Sequence, residues 1–272
     1  MVAEIRYITP EQPRQLRLDT TTACPASCLS CHKLLQPARV GTMQLQLIKR
    51  ILASAAQLPE PLNEIVPVNY GEFFACKNWP AILTLITELL PRTRIVIPTN
   101  GLLLDNLGAR ELAKHPMLSV VNWSLNAFLP DTYAAFTKLP AENIKHVREL
   151  SDLLYSLRPD VVQWFSMVYS PEWQSELERD LFVNYWSQHG TAQILTASNC
   201  GRTPLAISTK LPCRSIFSDL VVGWDKKLSS CCFDARFSLD LGSLNGSVMD
   251  AWHSPKLEAL RELHNAGRRE EI

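Results

Sequence analysis

The chain has 272 residues, a length that suits one large domain or a large one with a small appendage, and its 27 Lys plus Arg balance 27 Asp plus Glu to a formal net charge of zero. No global field therefore recruits nucleic acid or an anionic membrane, no apolar run approaches the length of a transmembrane helix, and Met1-Val-Ala-Glu-Ile-Arg lacks the regions of a signal peptide. The absence of both signals points to the cytoplasm, where eight cysteines are expected as ligands or free thiols rather than disulfides.

Residues 15–20 alternate apolar and polar and predict a first strand, which leads straight into Cys24-Pro-Ala-Ser-Cys28-Leu-Ser-Cys31. Three thiols in so short a loop can wrap one inorganic body, and thiolates favour zinc or an iron–sulfur cluster. Three ligands are one short of a closed site, which leaves a metal position open for a substrate or cosubstrate. A zinc knuckle usually pairs two CxxC units, whereas this loop has one CxxC and a cysteine four residues upstream. His32 would have to bend back to complete a zinc site. An open iron–sulfur cluster leads, with zinc, a disulfide or inert thiols as the alternatives.

Apolar spacing predicts a helix over 43–56, followed by a break at Pro59 and Pro61. A second strand is expected over 63–69, blemished by Pro67 and ending at Tyr70-Gly71-Glu72-Phe73. A helix over 78–90 stops at Pro91, and a third strand over 94–98 ends in Thr99-Asn100-Gly101. Then come a helix over 104–114, a strand over 119–125, helices over 130–136 and 143–157, a strand over 161–168, a helix over 175–189 and a strand over 192–196. Such alternation predicts a parallel sheet with right-handed crossovers. Six units are too few for an eightfold barrel and suit a partial (β/α)6 TIM-like barrel over residues 1–197. The C-terminal ends of its strands would share one rim, and the cysteine loop, Gly71-Glu72, Asn100-Gly101 and the Ser124/Asn126 pair all fall there.

After residue 196 the pattern changes. Strands over 216–223 and 227–233 flank the turn Asp225-Lys226-Lys227, and a helix is expected over 248–266. Cys213 precedes this hairpin and Cys231-Cys232 ends it. Antiparallel strands bring the two ends of a hairpin together, so these thiols can share a site.

The CxxxCxxC loop resembles that of the radical S-adenosylmethionine (radical SAM) enzymes. The resemblance implies that Cys24, Cys28 and Cys31 hold a [4Fe-4S] cluster whose fourth iron takes the amine and carboxylate of SAM. Gly71-Glu72 resembles the family's Gly-Gly-Glu-Pro segment, which receives the methionyl ammonium; Tyr70 replaces the first glycine and Phe73 the proline. Its alternative is a plain turn with a surface acid. Thr99-Asn100-Gly101 matches a Thr-Asn-Gly segment of the family, with Asn100 either a SAM contact or a turn residue. Ser124 and Asn126 lie where family members contact the carboxylate or ribose of SAM, with Ser166 a weaker candidate; all three otherwise satisfy backbone groups. His32 takes the place of an aromatic residue that packs near the adenine, or is a surface histidine.

The last third resembles the auxiliary-cluster module called SPASM, or its shorter form twitch, here over 198–272. By that resemblance Cys213 and Cys231 are ligands of a second iron–sulfur cluster, with Cys232 the alternative to Cys231. The family's terminal CxxC is missing, so either a terminal segment has been cut away or the second cluster is incomplete or absent. Cys200 is a third ligand or a thiol that donates a hydrogen atom, and Cys76 a pocket thiol; the bland reading makes both small buried hydrophobes.

The activity implied is reductive cleavage of SAM to a 5′-deoxyadenosyl radical, which takes hydrogen from an unactivated C–H bond. Oxidation, cross-linking or epimerisation would follow. Only 23 residues precede Cys24, which favours a small molecule, or a peptide presented by a partner, as substrate. A reductase or flavodoxin-type protein would donate the electron. The alternative is a zinc- or iron–sulfur-binding protein without SAM cleavage.

Overall fold

The computed structural model describes residues 6–31, 40–196, 212–231, 234, 237–268 and 271. The expectations for His32, Cys200 and Cys232 lie outside the described residues. Six strands alternate with helices as the sequence predicts: β1 (Gln15–Leu18), β2 (Glu64–Val66), β3 (Arg94–Thr99), β4 (Leu118–Ser124), β5 (Val162–Tyr169) and β6 (Thr191–Thr196). The helices between them are α1 (Leu45–Ala55), α2 (Trp79–Leu89), α3 (Asn106–Ala113), α4 (Pro130–Thr137), α5 (Asn143–Leu157) and α6 (Glu176–Trp186). Neighbouring strands from β1 to β6 pair parallel and in chain order.

Strand alternation divides the core in two. Ile95, Ile97, Val121, Trp123, Phe165 and Met167 pack with the helices, whose apolar stripes, such as Ile48, Ile51, Leu52 and Ala55 on α1, recur every three or four residues. On the opposite, concave face, Val66, Val96 and Val120 form a small cluster against Trp164. Among the described residues, no helix is long and apolar enough to cross a membrane.

β2 is shorter than expected. Proline offers no N–H to the ladder, and the Pro67 carbonyl instead accepts from the Thr20 hydroxyl at 2.5 Å.

The C-terminal third departs further from expectation. The strand expected from residue 216 starts at Asp219, because Arg214–Phe217 winds into a 3-10 turn that buries Ile216 and Phe217. This strand, β7 (Asp219–Val222), pairs parallel with β1, and its hairpin partner β8 (Leu228–Ser229) is antiparallel and only two residues long. One eight-stranded sheet results, in the order β6-β5-β4-β3-β2-β1-β7-β8. The single helix expected over 248–266 is two, α7 (Val248–Trp252) and α8 (Pro255–Asn265). Pro255 cannot continue a helix but suits the first turn of the next one. Trp252 and Arg261 weld this end to the rest. The indole Nε1 donates to the Pro10 carbonyl at 3.0 Å, and the Arg261 guanidinium lies 3.9 Å from the ring centroid while donating to the Ile216 carbonyl at 3.0 Å.

Candidate metal centre

The cysteine loop leaves the C-terminal end of β1 and is held from two sides. On one side, the N–H groups of Ser27 and Leu29 donate to the carbonyls of Thr137 and Phe136, each at 2.9 Å. The last carbonyls of a helix have no partner inside it, and here the loop fills those of α4. The other end of α4 begins at Leu129, whose side chain caps nothing. Its place is taken from α6: Glu178, buried, accepts from the N–H groups of Phe128 and Leu129, both at 2.9 Å. A carboxylate suits the positive end of the helix dipole, so α4 is a strut between Glu178 and the thiols.

On the other side lies the loop after β2. A Cβ on Gly71 would stand 2.0 Å from the Thr21 carbonyl oxygen and 3.0 Å from that of Ala23. The Glu72 N–H donates to the Ala23 carbonyl at 2.8 Å. Glycine is what lets these backbones touch.

Glu72 is 2 % exposed. Its carboxylate accepts from the Thr99 hydroxyl at 2.8 Å, the Asn100 N–H at 2.8 Å and the Phe74 N–H at 3.3 Å. Burial pushes its pKa up, against those hydrogen bonds. Glu72 is thus not a surface acid but a brace joining the loops after β2 and β3. Asn100, in turn, points Nδ2 at the Cys24 sulfur, 3.6 Å away. Its carbonyl accepts at 2.9 Å from Asn143 Nδ2, which also donates to the Tyr133 hydroxyl at 2.6 Å. Tyr133 is fully buried, and burial raises its pKa to about 12.

The Cys28 thiol senses the other two. Cys28 is pushed up to about 12, first by burial and then by its neighbours Cys31 and Cys24. Like charges so close raise each other's pKa, and a cationic metal body reverses that cost. Among the described residues no three His, Cys, Asp or Glu side chains converge tightly enough for one metal ion. Thiolates that each bind a different iron of a cluster need no such convergence. The donor set, three half-buried sulfurs in one loop with an amide directed at one of them, fits an iron–sulfur cluster.

Ser124 ends β4 half-buried, opposite Ser166 of β5, and its hydroxyl has no partner among the described residues. Asn126 follows with a left-handed φ of 64°, its Oδ1 accepting from the Val168 N–H at 3.1 Å and its Nδ2 left to offer. Ser166 donates to Asn122 Oδ1 at 2.6 Å on the concave face. Cys76 lies 2 % exposed in the core behind the rim, a small buried hydrophobe. Cys213 and Cys231 lie half-buried at the two ends of the hairpin. The Cys213 N–H donates to His264 Nδ1 at 3.0 Å, and the Cys231 carbonyl accepts from the Tyr70 hydroxyl at 3.4 Å. Tyr70, where the resemblance leads one to expect glycine, therefore joins the barrel's rim to the C-terminal module.

Sequence reasoning missed Glu178, Tyr133 and Asn143. Their roles arise from packing between helices, and nothing local marks them beyond an asparagine opening an apolar helix.

The sequence model of the SPASM iron–sulfur cluster-binding domain matches residues 213–271. No curated protein matches the chain by sequence. Among solved structures, BtrN in complex with AdoMet and 2-DOIA superposes with a TM-score of 0.71 at 18% identity, over 98% of this chain and 92% of that one. Streptococcus suis SuiB bound to precursor peptide SuiA gives 0.75 at 13% identity, over 93% and 67%. Native anSMEcpe with bound AdoMet gives 0.68 at 14% identity, over 93% and 84%. Residues 213–271 therefore match the SPASM iron–sulfur cluster-binding domain, on a chain that shares its partial-barrel fold with BtrN, SuiB and anSMEcpe.

Proposed function

We propose that this chain is a radical SAM enzyme acting on an unactivated C–H bond of a small molecule or peptide. One observation carries the reading: three half-buried thiols in a single loop at the rim of this fold. Cys24, Cys28 and Cys31 would hold a [4Fe-4S] cluster and leave one iron for SAM. When bound and reduced, that cluster supplies the electron that splits SAM into methionine and a 5′-deoxyadenosyl radical.

The chain's own part is to position and to keep dry. Gly71 sets the loop after β2 against the cysteine loop, and Glu72 locks the next loop to it, so the rim is rigid where SAM would lie. Gly71, Glu72, Asn100, Ser124 and Asn126 are assigned to the SAM site: Glu72 and Asn100, whose polar groups are already partnered, would shape its wall, and the Ser124 hydroxyl, without a partner among the described residues, is the readiest contact. The apolar floor of the concave face, Val66, Val96, Val120 and Trp164, would keep water from a substrate bound there. Cys213 and Cys231, with Cys232 as the alternative to Cys231, are assigned to an auxiliary cluster in a module spanning 198–272, beside a barrel over 1–197. Cys200 is kept as a hydrogen donor for an epimerising outcome. The AdoMet in BtrN and anSMEcpe supports the cofactor, and the 2-DOIA in BtrN and the precursor peptide on SuiB support the two substrate classes. A reductase or flavodoxin-type donor would supply electrons in the cytoplasm, where thiols stay reduced.

The test is anaerobic reconstitution with iron and sulfide, followed by dithionite and SAM. Wild type should release 5′-deoxyadenosine. The combined Cys24→Ala, Cys28→Ala, Cys31→Ala variant should release none and lose about four irons, one cluster's worth. Zinc in place of iron, or iron without 5′-deoxyadenosine, would refute the proposal; the latter would mark an electron-transfer protein.

A further inference from the structure

We propose that Asn100 sets the reduction potential of the cluster held by Cys24, by donating an N–H···S hydrogen bond to that cysteine's sulfur. This rests on the preceding reading of the cysteine loop. The observation is the 3.6 Å separation of Asn100 Nδ2 from Cys24 Sγ, a normal length for a donor to the larger sulfur atom.

The orientation of the amide follows from its other contacts. Asn100 Oδ1 accepts from the Leu102 N–H at 3.0 Å, so the NH2 must be the end that faces the sulfur. The backbone is fixed as firmly. Its N–H goes to Glu72 Oε2 at 2.8 Å and its carbonyl takes Asn143 Nδ2 at 2.9 Å. Gly101 follows with φ 77°, where a Cβ would come within 2.6 Å of Val147 Cγ2. Every polar group of Asn100 thus has an assigned partner. The residue is 8 % exposed, so water competes little for its amide.

The consequence is electrostatic. One-electron reduction adds a negative charge to a cluster and its thiolates. A donor aimed at a ligating sulfur stabilises the reduced form more than the oxidised one, which raises the potential. Glu72, Tyr133 and Asn143 act here as positioning residues, because they hold the turn that aims the amide.

The test is a potentiometric titration followed by electron paramagnetic resonance, with dithionite as the electron source. Signals absent from the Cys24/Cys28/Cys31→Ala protein identify the cluster of this loop. Asn100→Ala and Asn100→Asp are titrated beside wild type, with iron and sulfide counted on each. Asn100→Ala should keep its iron and shift the oxidised-to-reduced ratio about tenfold, a midpoint about 59 mV more negative for one electron. Asn100→Asp, which puts an anion where the donor was, should shift at least as far. Retained iron with an unchanged midpoint in both variants would overturn the proposal. So would loss of iron in both, which would make the amide a structural prop. If wild type and the triple-alanine protein hold equal iron, the reading of the loop fails first, and that is settled before any Asn100 variant is made.

Discussion

Replacing Gly71 by alanine tests how tightly the cysteine loop depends on its neighbour. The new Cβ would stand 2.0 Å from the Thr21 carbonyl oxygen. A comfortable C···O approach is about 3.3 Å, so the two loops must separate by roughly 1.3 Å. Gly71 has no left-handed φ, so alanine adds no backbone strain and the effect isolates the contact. Forced separation of packed backbone costs about 1–3 kcal/mol. The 2.8 Å hydrogen bond from Glu72 to the Ala23 carbonyl would stretch beyond its useful range, a further loss of about 1 kcal/mol. The expected destabilisation is therefore about 2–4 kcal/mol. It would be read as a lower urea midpoint at unchanged slope, together with reduced iron per chain after reconstitution. A Gly71→Ala protein with wild-type midpoint and iron content would show that the loops do not need this approach, and the account of the rim would be wrong.

Glu178→Ala should free two N–H groups at the start of α4 and cost about 1–3 kcal/mol in urea denaturation, with iron uptake slowed because the strut under the cysteine loop loosens. Cys76→Ala should cost about 1 kcal/mol for a small cavity and leave iron and sulfide counts unchanged; loss of iron would make it a ligand. Burial raises the pKa of Glu72 above its ordinary 4.5, so the folded chain binds this proton more readily than the unfolded one. Stability from this group is then full below pH 4.5 and falls as pH rises through the folded pKa. Denaturation of wild type across that window should show the decline and Glu72→Gln should flatten it, while parallel pH profiles would remove the argument.

Much of this arrangement was legible before any coordinates. The helix expected over 143–157 is α5 to the residue, because Val147, Leu150 and Leu154 repeat at helical spacing. The strand expected over 161–168 is β5 within one residue. Rim residues were found through a topological rule, since loops leaving parallel strands must share one edge. What stayed hidden depends on distance along the chain. Glu178 reaches a helix start fifty residues upstream, and no local pattern announces that a carboxylate on α6 will cap α4. Pro255 sits inside a run with helical spacing, and periodicity read through it. The chain's rejection of a proline there outweighed the apolar pattern and made two helices. β7 resembled half of an isolated hairpin because sequence gives no sign that its other edge pairs with β1.

That pairing has a consequence for biosynthesis. Leu16 lies between Ile65 on one side and Leu220 on the other, so the strand that launches the thiol loop has both neighbours only once the chain as far as Val222 has left the ribosome. Cofactor loading would then wait for β7. A nascent chain stalled short of Asp219 should leave residues 15–31 open to protease and hold no iron, whereas the released protein resists cleavage there.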